Sequence, residues 1–232
     1  MTRLLGLHKA SDWTWVVRRP PAAQILEYLV NKWLDYETKY SGIGEPFASR
    51  NEPALTEGLA AYLDAEYQAG AQPFDGEFFA ELNHYDLLPD GKRSIIGRSD
   101  IEWRLSGAPN FIIEFKVIGG GRPAKAYITD GMIRFVDGRY APKAAEGAMW
   151  AFFRPNSTET VTDIEAIIDE HVAHLRCQPE NGMHRISPSV LAPNIASFDS
   201  VHERVHPAIS IRLAHIFVSI SDKSMLLPNP IK

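Results

Sequence analysis

Three side chains of this 232-residue sequence have types and spacing that suit hydrolytic chemistry: Asp100, Glu114 and Lys116, carried by the stretches RSDIEWRL (98–105) and NFIIEFKV (110–117). Both stretches alternate apolar and polar residues, the period of a strand with one buried face. In the second, Phe111, Ile113, Phe115 and Val117 share a face, which leaves Ile112, Glu114 and Lys116 opposite. In the first, Ile101, Trp103 and Leu105 lie together, with Asp100, Glu102 and Arg104 on the other side. Paired strands run about 4.8 Å apart, so a register that sets Asp100 beside Glu114 brings two carboxylates and an ammonium to one point. Two acids that close repel unless a cation lies between them, and oxygen ligands of this kind suit Mg²⁺ or Mn²⁺. A lysine beside such a metal can hold or polarise a water. The chemistry expected of the set is metal-assisted hydrolysis of a phosphodiester.

Other elements must position these residues. AAQILEYLVNKWLDYETKY (22–40) places Ile25, Leu26, Leu29, Val30, Trp33 and Leu34 at helical spacing and predicts an amphipathic helix. NEPALTEGLAAYLDAEY (51–67) predicts a second helix, with Asn51 as N-cap, Pro53 in the first turn, and Leu55, Leu59, Leu63 and Tyr67 on one face. EFFAELNHYDLL (77–88) reads as a strand with Glu77 and Glu81 off its apolar face, and PDGKRS carries a hairpin signal leading into the Asp100 strand. WTWVVRR (13–19) reads as a short strand. Past Val117, three glycines and RPAKAYITDGMIRF predict a turn into a helix. No Gly-Lys-Ser/Thr follows, so a P-loop is rejected. The apolar run EGAMWAFFR (146–154) predicts a buried strand, and TETVTDIEAIIDEHVAHLRCQ (158–178) a helix. HRISPSV (184–190) and ISIRLAHIFVSI (209–220) are strand-like and expected to extend the sheet.

An Asp followed by Glu-x-Lys on the next strand, here Ser99-Asp100 and Glu114-Phe115-Lys116, resembles the signature of the PD-(D/E)XK nuclease superfamily, with Ser99 where the family's name has proline. The order of helix, three strands, crossover helix and fourth strand over about residues 50–155 is the order the resemblance predicts. It implies an α/β fold: a mixed central sheet flanked by helices, restriction-endonuclease-like, in one domain with N- and C-terminal additions. It implies Asp100 and Glu114 as ligands of Mg²⁺ (or Mn²⁺), the Phe115 carbonyl as a further ligand, and Lys116 orienting or deprotonating the attacking water. An acid near the start of the core helix is expected to reach the metal site, either for a second metal or to hold a metal-bound water. Glu52 fits by position and Glu57 is the reserve, while Glu52 also has a plain role in favouring the helix dipole. Arg98, Arg122, Lys125 and Arg134 are the candidate nucleic-acid contacts. The implied activity is endonucleolytic hydrolysis of DNA leaving a 5′-phosphate, in restriction of foreign DNA, by a protein that forms a homodimer or engages a partner protein.

Two other function classes remain open at this stage. One is a nuclease-like scaffold that no longer cuts and serves as a DNA-binding or protein-interaction module. The other is a zinc hydrolase built on His171 and His174, three apart on a predicted helix, with His184, His202, His206 and His215 downstream. Ser200, His202 and Arg204 alternate along a stretch to which the sequence assigns no role.

Composition narrows the field. Net charge is −5, yet residues 91–154 hold 11 basic and 6 acidic side chains, a local +5, against −7 for residues 1–90 and −3 for 155–232. A polyanion would be drawn to the segment that carries Asp100 and Glu114. The single cysteine, Cys177, excludes an internal disulfide and a thiolate zinc cluster within one chain. No apolar run reaches the ~18 residues of a membrane span, and the N-terminal apolar patch is too short for a secretory signal. A cytoplasmic protein is expected.

Overall fold

The computed structural model describes residues 20–220 apart from 42, 88–91, 122, 141, 156 and 205–208. The strand expected at residues 13–19 and the Arg122 and His206 sites therefore lie outside the described residues.

Among the described residues a mixed sheet of seven strands forms the centre, in the order β1-β2-β3-β4-β7-β6-β5. The strands are β1 (Glu77–Leu87), β2 (Arg93–Arg104), β3 (Phe111–Ile118), β4 (Glu146–Phe153), β5 (Arg185–Ile186), β6 (Phe198–Glu203) and β7 (Ser210–Ser219). β1, β2 and β3 form an antiparallel meander, β3, β4 and β7 run parallel, and β6 and β5 return antiparallel. β7 pairs with β4 along its whole length, from Glu146↔Arg212 to Phe153↔Ser219. The segment after residue 155 thus supplies an interior strand. The expectation of an α/β fold with a mixed central sheet between helices is met.

Helices cover both faces. α1 (Ala22–Tyr40) and α2 (Glu52–Gln68) close one face, where Leu26, Trp33, Leu55, Leu59 and Leu63 pack with Phe111, Ile113, Phe115, Val117 and Trp150. The helix after β3 contains a π segment (Tyr127–Met132) that runs into α3 (Ile133–Val136). With α4 (Val161–Glu170) it covers the other face, against Ile112, Met149, Ala151 and Leu213. Both cores draw on β3, whose eight residues are all buried, as a strand shielded on both faces must be.

Local chemistry fixes the element ends near the site. Asn51 Oδ1 accepts the Ala54 N–H at 2.9 Å, the N-cap read from the sequence. After β3 the backbone turns through Gly119, Gly120 and Gly121 at φ 93°, 65° and 87°. A Cβ on Gly119 would sit 2.9 Å from Ser157 Cβ, so both conformation and space require glycine there.

Two expectations change. The helix read over 158–178 keeps regular geometry only to Glu170. A further turn ends with Arg176 at φ 50°, Arg176 N–H donating to Ala173 O and Cys177 N–H to Val172 O, the paired bonds of a Schellman stop. β6, which carries Ser200 and His202, was not read as a strand. Its Asp199, Ser200 and His202 are buried and break the usual alternation.

Candidate active site

The site forms where β2 leaves β3. The two strands pair at Ile101↔Ile113, Glu102↔Ile112 and Trp103↔Phe111, and one more step in that register sets Asp100 across from Glu114. There β2 diverges, and among the described residues no strand pairs with β3 on that side. Side chains meet its backbone groups instead. Asp100 Oδ2 accepts the Phe115 N–H at 2.7 Å, Glu52 Oε2 accepts the Val117 N–H at 3.2 Å, and Lys116 Nζ donates to the Phe115 carbonyl at 2.6 Å. Buried backbone groups are rarely left unpaired. The parting of two strands therefore accounts for acids from α2 and β2 meeting at one lysine.

Lys116 is the hub. Its ammonium lies 2.9 Å from Glu52 Oε1, 2.9 Å from Glu114 Oε1 and 3.9 Å from Asp100 Oδ2. All four residues are largely out of solvent; Asp100 is 8 %, Glu114 0 % and Lys116 6 % exposed. Burial raises the carboxyl of Asp100 well above its ordinary range, and Glu114 and Glu52 add to this against Lys116 and the Phe115 N–H. Burial likewise raises Glu114, opposed by Lys116 and Arg134. For Lys116, burial acts to lower the pKa, but the carboxylates of Glu114, Asp100 and Glu52 outweigh it and hold the side chain as an ammonium.

A second cation completes the arrangement. Arg134 Nη1, from α3, donates to Glu114 Oε1 at 2.8 Å and to the Tyr140 hydroxyl at 2.6 Å. Tyr140 Oη donates in turn to the Arg98 carbonyl on β2. Gly131, in the π segment, lets the helix pass closely, since a Cβ there would lie 3.5 Å from Lys116 Cε and 2.5 Å from Met149 Cε. Local π geometry recurs at functional sites, and here it lies over the lysine.

Of the residues expected from sequence, Glu52, Asp100, Glu114 and Lys116 come together. Arg134, expected as a nucleic-acid contact, is half-buried and paired with Glu114. Arg98 is exposed, with its Nε 2.5 Å from Glu81 Oε2. Lys125 is exposed in the first turn of the helix after β3, and Glu57 is exposed on α2. Tyr140 was missed, because a lone tyrosine in the loop DGRYAPK carries no periodic signal. The histidines do not converge with these groups. His171 is the C-cap of α4, its Nδ1 2.9 Å from Ile167 O, and His174 is exposed beyond the helix end. The regular helix that was to carry both stops before the second.

Among the described residues, no group of three or more His, Cys, Asp or Glu side chains is spaced to hold a metal ion; the carboxylates surround the ammonium. The donor set nonetheless fits a hard divalent cation in chemical type, with two buried carboxylates and a backbone carbonyl. One observation favours such a ligand: Glu114 Oε2 is buried and accepts no hydrogen bond from the described residues. A buried carboxylate oxygen left this way costs about 1–3 kcal/mol or more, which a bound cation would recover.

No family model matches the chain, and neither does any curated protein or solved structure.

Proposed function

We propose that this chain is a Mg²⁺- or Mn²⁺-dependent nuclease of the PD-(D/E)XK type that hydrolyses phosphodiester bonds of DNA. The observation that carries this reading is the convergence of Glu52, Asp100, Glu114 and Lys116, with one oxygen of the buried Glu114 left over. Asp100 and Glu114 would hold the cation, with the Phe115 carbonyl as a further donor. When bound, the metal supplies Lewis-acid polarisation of the phosphate and a more acidic water. Lys116, held as an ammonium by its three acids, orients the attacking water and offsets charge that builds on the phosphate. Glu52 is fully used in fixing that lysine: one oxygen takes its Nζ and the other takes the Val117 N–H. We read it as a positioning residue rather than as the ligand of a second metal. Arg134 and Tyr140 hold Glu114 in place from the helix side. DNA is the macromolecular partner in this reading, and a homodimer would offer two such sites for the two strands.

The test is cleavage of plasmid DNA with Mg²⁺ or Mn²⁺ by the wild type and by Lys116→Ala, with EDTA controls. Cleavage should vanish with EDTA and fall about a hundredfold or more in the variant. Undiminished cleavage by Lys116→Ala overturns the assignment. Metal-independent binding of DNA without cleavage by the wild type would favour the binding-module reading, which the self-paired acids and cations of the site also accommodate.

A further inference from the structure

We infer that Glu81 is a further positioning residue of the proposed reaction: its left-handed backbone turns the β1–β2 ribbon over at Asp100 and so aims that carboxylate into the site. This rests on the nuclease reading and adds the residue that delivers one of its metal ligands. Glu81 stands in the middle of β1 at φ 53°. A Cβ disfavours that conformation, which glycine adopts freely and asparagine or aspartate only occasionally. Backbone held in such a state gathers at functional sites, where the surroundings enforce it.

The faces of both strands change at this point. Alternate residues of a regular strand share one side, yet the Phe78 ring stacks on Tyr28 of α1, centroids 6.0 Å apart, while the His84 ring lies 5.5 Å from Tyr140 in the core on the other side of the sheet. On β2, Ser99 and Glu102 are three apart and belong on opposite sides, but Ser99 Oγ donates to Glu102 Oε2 at 3.3 Å. Pairing stays in step across the change, at Ala80↔Ile101 and Leu82↔Ser99, so no residue is inserted there; the register shift of this hairpin comes later, between His84 and Tyr85. Rotation at Glu81 accounts for the reversal, since a left-handed residue bends and twists a strand and re-aims its neighbours. In that register Asp100 stands across from Glu81, where β2 turns over. Its carboxylate reaches along the sheet, and Oδ2 accepts the Phe115 N–H at 2.7 Å.

The glutamate side chain secures the turn. Its Oε2 is 2.5 Å from Nε of Arg98, two residues before Asp100, and its Oε1 accepts from Thr56 Oγ1 at 3.5 Å. That hydroxyl also lies 3.1 Å from the Glu52 carbonyl, at the start of α2. Glu81 therefore joins the strand that carries Asp100 to the helix turn that carries Glu52, and both acids face Lys116. Glycine would adopt the turn more easily but would make neither tie.

The test compares Glu81→Gly, which permits the left-handed turn, with Glu81→Val, whose branched Cβ opposes it; both lack the carboxylate. Hydrogen exchange of the Phe115 amide, read by NMR in EDTA, reports whether Asp100 still accepts it. That exchange should quicken about tenfold in Glu81→Val and stay within about threefold of wild type in Glu81→Gly, while Ile113, inside the β2–β3 pairing, keeps its rate in both. Mg²⁺-dependent cleavage of plasmid DNA should fall about a hundredfold in Glu81→Val and only about threefold in Glu81→Gly. If thermal midpoints show that the valine variant does not fold, Glu81→Ala carries the same comparison with a smaller side chain. Unchanged Phe115 exchange in the valine or alanine variant overturns the proposal. Equal loss in Glu81→Gly and Glu81→Val overturns it too, by giving the effect to the carboxylate alone. Failure of the nuclease reading appears separately, as absent metal-dependent cleavage by the wild type, and leaves the exchange result standing.

Discussion

Asp100 is the least compensated charge of the site. The Lys116 ammonium is 3.9 Å from it but 2.9 Å from Glu52 and Glu114, and the Asp100 side chain is more buried than that of Glu52, at 11 % against 17 % exposed. Its carboxyl is accordingly pushed well up, by burial first and then by the neighbouring acids. Asp100→Asn keeps an acceptor for the Phe115 N–H and removes the charge. The metal-free variant should be more stable by about 1 kcal/mol, or about 2–4 °C in thermal midpoint, while metal-dependent cleavage is lost. Differential scanning in EDTA measures this; a lower midpoint would mean that Lys116 more than compensates the buried charge.

At the level of elements, the loop after α3 depends on one buried arginine. Arg204, 1 % exposed, follows β6 and donates to the carbonyls of Phe135 at 2.8 Å and Ala144 at 2.9 Å, with longer bonds to those of Pro142 and Tyr140. Burial lowers its pKa to about 10, and it remains a cation at neutral pH. The loop it ties down carries Tyr140, which joins Arg134 and β2 at the site. Arg204→Met would leave buried carbonyls unpaired, at a cost of about 3 kcal/mol. Urea denaturation should show that loss, and cleavage should fall as well, because Tyr140 no longer holds its place. Loss of stability with full cleavage would separate the loop from the site.

For the whole molecule, a buried polar chain on the helix-α4 side governs acid behaviour. Tyr127 Oη lies 2.8 Å from His215 Nδ1, His215 Nε2 2.7 Å from Ser200 Oγ, Ser200 Oγ 2.6 Å from His202 Nε2, and His202 Nδ1 2.8 Å from Leu175 O. Burial lowers His202 from 6.5 to about 4 and also holds His215 well below its ordinary value. Between pH 6.5 and 4 the unfolded chain thus binds protons that the folded chain refuses, and stability falls as pH falls, by on the order of 3 kcal/mol for His202 alone. Asp100 and Glu114, raised in the fold, act with the opposite sign. Asp100→Asn should therefore lose stability more steeply on acidification than the wild type, as urea titrations across this range would show; a shallower loss would refute the sign. Among the described residues no helix is long and apolar enough to cross a membrane. Patterns among neighbouring residues reached only local features: alternation set Asp100, Glu114 and Lys116 off the apolar faces of their strands, and the Asn51 cap placed Glu52 at a helix start. Periodicity also marked the helices and the buried β4. Long-range packing set the parting of β2 from β3 on the Asp100 side of Ile101, which turns four separated residues into one cluster, and turned Arg134 to Glu114 instead of solvent. It also inserted β7 beside β4 and buried the polar face of β6. Strand register, strand order and the pairing of distant charges depend on which surfaces can be buried together, and no window of neighbouring residues contains that information.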